Sequence, residues 1–198
     1  MRRIRQRHVA GFLLGVGLFV LGGGGTIVAT AAETVKIGVL DPMSGPLEPF
    51  GRAWRAGIQF AVDEQNAKGG LLGRKVELVA EDGEMKPDVA SRKARKLVLE
   101  DKVNFLTGGL ASHIAIALGK VAASTKVIYI NYSGMADEIQ GKEFSRYAFR
   151  VSQNHYAQFT ALTLLMGKTP YRKFYSIQPD YVAGHTQDED LKEQLKVY

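Results

Sequence analysis

The 198 residues contain no cysteine. That excludes disulfide staples, thiolate metal sites and a cysteine nucleophile within this stretch, and it excludes a lipid-modified cysteine at a leader cleavage site. Histidine is scarce as well. His8, His113, His155 and His185 show no metal-ligand spacing, so no metal site is expected. No phosphate-binding glycine fingerprint follows the first strand-like run, because Gly69, Gly70 and Gly73 lie at a helix end rather than a helix start. A Gly-x-Ser-x-Gly elbow is also missing, and Ser112 and His113, as neighbours on a helix, cannot face one another. The sequence therefore assembles no catalytic residues and calls for no cofactor. Acidic residues are absent from the first eight positions, where Arg2, Arg3, Arg5 and Arg7 sit. These four account for most of the formal charge of +6. No basic stripe with interleaved aromatics remains, so nucleic acid is not an expected partner.

What is present begins with a leader. A basic stretch to His8 is followed by a charge-free apolar run over residues 9–21, a glycine break over 22–25, and the small residues Ala29, Thr30, Ala31 and Ala32. This is the pattern of a secretory signal peptide over residues 1–32, with cleavage after Ala31 or Ala32. The rival reading is an uncleaved anchor, since residues 9–32 are long enough to span a bilayer. The remaining chain is ordinary for a globular protein, with 45% hydrophobic and 23% charged residues overall.

Hydrophobic periodicity orders this remainder. Strands are expected at 35–40, 76–80, 104–107 and 127–130. Helices are expected at about 51–67, 87–101 and 112–123. Trp54, Ile58, Ala61 and Val62 share one face of the first helix. Pro87 suits the opening of the second, where a missing N–H costs nothing. The alternation β-α-β-α-β-α-β with helical crossovers predicts a doubly wound, mostly parallel α/β sheet covered on both faces. Beyond Ile130 come an extended segment at 147–151, a helix at about 155–166 carrying Phe159, Leu162, Leu165 and Met166, a strand at 173–177, and a polar helix from about Thr186. This second unit is too small to bury a core alone.

In such a sheet, ligands sit beyond the carboxyl ends of the strands. Residues 41–50, 81–86, 108–112 and 131–137 leave strands in that sense, and 179–184 belong to the second unit. Gly108 and Gly109 permit an abrupt turn, and Ser112 then reads as a helix N-cap whose free N–H groups attract a carboxylate. The plainer reading is that Ser112 only caps its own helix. The segment Asn131, Tyr132, Ser133, Gly134, Met135 offers polar donors, or is an ordinary surface loop. Phe50 and Tyr181 would pack on an apolar ligand, or close a local cluster. Glu81, Asp82 and Glu84 read as a solvated strand end rather than a cation site.

Several runs resemble the branched-chain amino-acid-binding proteins of ABC transporters, which are type I periplasmic binding proteins. These are Val35-Lys36-Ile37-Gly38-Val39, Met43-Ser44-Gly45-Pro46, Phe50-Gly51, and Asp63-Glu64-Gln65-Asn66-Ala67-Lys68-Gly69-Gly70-Leu71-Leu72-Gly73. The resemblance implies a two-lobed clamshell closing on a solute, with residues 33–150 as lobe one, 151–198 as the truncated start of lobe two, and a periplasmic location. It implies that Ser112, beside Ala111, holds a ligand carboxylate. It further implies that Ser133, Gly134 and Met135 form the segment near the ligand's α-amino group and carboxylate, and that Phe50 and Tyr181 line the pocket. Met135 stands where amino-acid binders often carry Thr, so the implied solute is a small amino-acid-like, amide or carboxylate molecule. The implied partners are that solute and the membrane permease and ATPase subunits of an ABC transporter. The other functions considered are a sensing domain of the same fold that reports to a signalling partner, and an exported α/β enzyme.

Overall fold

A computed structural model describes residues 33–197. The signal-peptide reading falls on residues outside that range. The elements, in chain order, are β1 (Val35–Asp41), α1 (Glu48–Ala67), β2 (Val76–Asp82), α2 (Pro87–Leu99), β3 (Phe105–Gly108), α3 (Ser112–Thr125), β4 (Ile128–Asn131), a 3-10 turn (Asp137–Ile139), β5 (Ala148–Arg150), α4 (His155–Met166) and α5 (Val182–Val197). The five strands form one parallel sheet in the order β2-β1-β3-β4-β5. This is the expected α/β class. The extended segment after the fourth strand joins the same sheet as β5. From β1 the chain first adds a strand on one side and then on the other, so the order reverses between β1 and β3. Such a reversal opens a crevice at the carboxyl ends of the strands.

The Asn66 to Gly73 turn has a direct physical role. The Asn66 side chain accepts from the Val76 N–H and donates to the Val76 carbonyl, each at 2.8 Å. It acts as a surrogate strand partner, clamping the end of α1 to the start of β2. α1 opens at Glu48 with Pro49 in its first turn, earlier than the expected Gly51, because proline is well suited to a position without an N–H acceptor.

Strand alternation divides the core. On one face Leu40, Leu106 and Tyr129 pack with Ala90, Ala94 and Leu97 of α2 and with Ile114, Leu118 and Val121 of α3. On the other, Val35, Val76, Ile37 and Phe105 pack with Val62 of α1. Helices thus lie on both faces of the sheet, as the apolar strands led us to expect. α1 packs mainly over β1 and β2, and Ile128, Ile130 and Phe149 of β4 and β5 remain exposed. Ala61 is exposed, although Val62 is buried.

One expectation fails in the last fifty residues. Residues 173–177 form no strand, since no described strand lies alongside to complete a ladder, and Tyr175 and Ile177 are each 96% exposed. In α4, Phe159 is buried but Leu162 and Leu165 are exposed, and His155 and Thr163 take the inner positions. The α4–α5 seam is accordingly polar. Asn154 caps α4 by accepting from the Ala157 N–H, and donates to Asp137 at 2.6 Å. Thr186 donates to Glu138 at 2.8 Å, and Gln187 contacts the His155 ring at 3.0 Å. Asp190 is buried at this seam with one unpaired oxygen. Burial, followed by its hydrogen bond to Asp137 and the charges of Asp137, Glu193 and Glu138, pushes its carboxyl up to about 7.

Because the folded state binds this proton more tightly than the unfolded chain, Asp190 stabilises the fold at acidic pH. That contribution is lost as pH rises from the ordinary aspartate range through about 7. Thermal melts from pH 4 to 8 will show a falling limb that Asp190→Asn flattens. A second prediction concerns Gly108, whose φ is +119° and whose added Cβ would lie 2.2 Å from the Leu40 carbonyl oxygen. Gly108→Ala will destabilise the protein by about 1–3 kcal/mol or more, read from urea midpoints.

Candidate functional site

The site is built from the strand ends inward. Gly108 and Gly109 both have positive φ, and Cβ atoms there would strike the Leu40 backbone and the Tyr129 hydroxyl. The Gly109 N–H donates to the Leu40 carbonyl at 2.8 Å, and the Tyr129 hydroxyl donates to the Gly108 carbonyl at 2.9 Å. The chain thus crosses the end of β1 in two residues and enters α3. Ala111, extended at φ −104° and ψ 151°, occupies the N-cap position without a side-chain hydrogen bond.

The expectation that Ser112 is the N-cap is therefore corrected, since Ser112 is the first helical residue. Its hydroxyl is turned to another task. It is 3% exposed and accepts from the Met135 and Ala136 N–H groups, both at 3.2 Å. In return, the Ser133 hydroxyl donates to the Leu110 carbonyl at 2.9 Å. The loops after β3 and β4 are cross-stitched by two serines. Buried Asn131 folds the second loop from within: its Oδ1 accepts from the Ser133 and Gly134 N–H groups at 3.0 and 2.8 Å, and its Nδ2 donates to the Gly134 carbonyl at 2.8 Å. Gly134 leaves no room for a side chain, because an added Cβ would sit 2.7 Å from that of Ala115. The Met135 carbonyl accepts from the His155 N–H at 3.0 Å, which ties this loop to α4.

The loops after β1 and β2 are joined separately. Asp82 accepts from the Ser44 hydroxyl at 2.6 Å, the Met43 N–H at 3.1 Å and the Glu84 N–H at 2.8 Å. Burial raises its carboxyl, but these hydrogen bonds outweigh that and hold it below the usual range. Glu81 pairs with Lys93 and Lys96 at 2.8 and 2.7 Å. Glu81 and Asp82 are thus half-buried and engaged in holding loops and helices, rather than solvated as expected.

A cleft of about 440 Å³ opens beside the start of α3. Leu47, Phe50, Met85, Leu110, Ala111, His113 and Tyr181 line it. The His113 and Tyr181 rings meet edge to face with centroids 5.2 Å apart, a favourable aromatic geometry. His113 Nε2 lies 3.3 Å from the Met85 carbonyl. Among the described residues, no carboxylate lines this cleft. A larger groove of about 680 Å³ runs along α2 among Arg92, Arg95, Lys96 and Glu100. It is lined by one face of a single helix.

The cleft brings together Phe50, Ala111 and Tyr181 of the residues singled out from sequence. Ser112 and Gly134 are buried, and Ser133 and Met135 are half-buried, in the stitched loops at its edge. Leu47, Met85, Leu110 and His113 were not foreseen. Nothing marks these as site residues locally, and only their position near strand ends in three separated segments could have found them.

A sequence profile of the family described as "Periplasmic binding protein" matches residues 34–198. The chain is 37% identical over 111 residues to the "Leu/Ile/Val-binding protein homolog 7" of Brucella abortus (strain 2308), covering 56% of this chain and 28% of that protein. Among solved structures it resembles a periplasmic binding protein from Burkholderia mallei, with a TM-score of 0.77 and 26% identity over 84% of this chain and 44% of the other. It also resembles an R. palustris ABC-transporter solute binding protein in complex with benzoate, with a TM-score of 0.76 and 28% identity over 83% and 45% of the two chains. The chain spans less than half the length of each. The profile match runs through the whole sheet and the stitched loops at its carboxyl edge, and the chain belongs to the periplasmic binding protein family.

Proposed function

We propose that this chain is the N-terminal part of the periplasmic substrate-binding protein of an ABC transporter, and that it binds a small carboxylate with an apolar or aromatic body. One observation carries the reading. The start of α3, with no side chain capping it, opens onto a cleft with apolar and aromatic walls and no acidic side chain. Unpaired N–H groups and the partial positive charge of a helix start suit a carboxylate. Phe50 and Tyr181 suit a flat apolar body. An α-ammonium group would find no counter-charge in this wall.

In this reading residues 33–150 form lobe one, residues 151–198 begin lobe two, and the solute is held between the lobes. The open face over Ile128, Ile130 and Phe149 supports this division, because a sheet this apolar calls for cover from further chain. Residues 1–32 direct export. The receptor delivers its solute to membrane permease and ATPase subunits and performs no chemistry. The R. palustris neighbour, solved with benzoate, supports the solute class.

Isothermal titration of the complete gene product will show benzoate binding more tightly than leucine. Ser112→Ala, which leaves the Met135 and Ala136 N–H groups without their acceptor, will weaken binding by about 1–3 kcal/mol. No heat with any carboxylate or amino acid would overturn the reading.

A further inference from the structure

Asp41 has no part in the cleft, yet it is the most deeply buried acid of the fold, 2% exposed at the last position of β1. The Tyr132 hydroxyl donates to its Oδ2. Its other oxygen, Oδ1, is buried without a protein partner, as is Nη1 of Arg55, the cation that acts on it from α1. Burial raises the Asp41 carboxyl above its usual range, against the lowering effects of the Tyr132 hydrogen bond and Arg55. Trp54, one residue before Arg55, meets the Tyr132 ring edge to face at 5.1 Å and 85°.

The topology shows what this contact does. β1 and β4 are not neighbours, because β3 lies between them. No backbone ladder sets the distance between the end of β1 and the loop after β4. The Asp41–Tyr132 hydrogen bond spans that gap directly, passing the end of β3, where Gly108 and Gly109 keep the backbone free of side chains. Tyr132 is also the first residue beyond β4 and is followed at once by Ser133, Gly134 and Met135. Asn131 and Ser112 hold those three residues from the sheet side and the α3 side. Asp41 holds the same loop from the β1 side.

We infer that Asp41 is a positioning residue for the ligand loop: through Tyr132 it fixes residues 132–136 against the start of α3, and so sets the shape of the solute site without touching the solute. This rests on the ligand-site reading given above. Because the burial of Asp41 disfavours its charge, the role requires an acceptor for the tyrosine hydroxyl and not an anion, and asparagine will serve in its place.

The test pairs two readouts on the complete gene product. Native-state hydrogen exchange of the Ser133 to Ala136 amides will quicken about tenfold or more in Tyr132→Phe and in Asp41→Val, with α2 amides unchanged. Benzoate affinity will fall about tenfold in the same variants, the upper end of the scale of one lost hydrogen bond. Asp41→Asn will restore both readouts to within a few fold. Tyr132→Phe, a deletion of one oxygen atom, serves if Asp41→Val does not fold. Unchanged exchange at 133–136 in Tyr132→Phe would overturn the inference. So would an Asp41→Asn variant as impaired as Asp41→Val, or quickened exchange with undiminished benzoate affinity. If the wild-type protein binds no carboxylate, the solute reading fails by itself, and the exchange measurement alone then decides whether Asp41 holds the loop.

Discussion

The central position of β1 organises the rest of the described chain. It is paired along its full length to β2 on one edge and over Ile37 to Leu40 to β3 on the other. A parallel strand paired on both edges cannot shift register without breaking two ladders, so it fixes where three separate loops emerge. Its last residues, Leu40 and Asp41, are then the reference points of the site. The Leu40 carbonyl receives the Gly109 N–H, and the Asp41 carboxyl receives the Tyr132 hydroxyl.

From that fixed edge the loops are assembled by short polar ties. Ser112, Ser133 and Asn131 join the β3 and β4 loops, and Asp82 joins those of β1 and β2. Each group is removed from water only because it finds a partner, since a buried polar group left unpaired is costly. The result is a preorganised rim beside an apolar cleft, the arrangement expected of small-molecule sites. Preorganisation of this kind lowers the ordering cost of binding.

The α4–α5 seam is of a different character. Its inner positions are His155, Thr163, Thr186, Asp190 and Gln194. The core around Leu40, Leu97, Leu106 and Leu118 is aliphatic by contrast. The aliphatic residues of α4 face outward, so this helix presents an apolar surface that its described neighbours do not cover.

Much of the architecture was legible in the sequence. Apolar runs at 35–40 and 127–130, helical periodicity between them, and Gly-Gly stops are local signals, because the period of side-chain projection and the φ freedom of glycine belong to the chain itself. The same local signals located the strand ends near which Phe50, Ser112 and Ser133 lie. Tertiary structure alone decided the rest. It made Ala111 the cap and gave Ser112 to the neighbouring loop. It brought Leu47, Met85 and His113 to one cleft, and it joined Asp41 to Tyr132 across 91 positions of chain. It also left 173–177 without a ladder, although its residues favour a strand. The reason is common to all of these. A side chain's partner, and whether a strand finds an edge to pair with, depends on segments far away in sequence, and local periodicity carries no information about which distant segment arrives there.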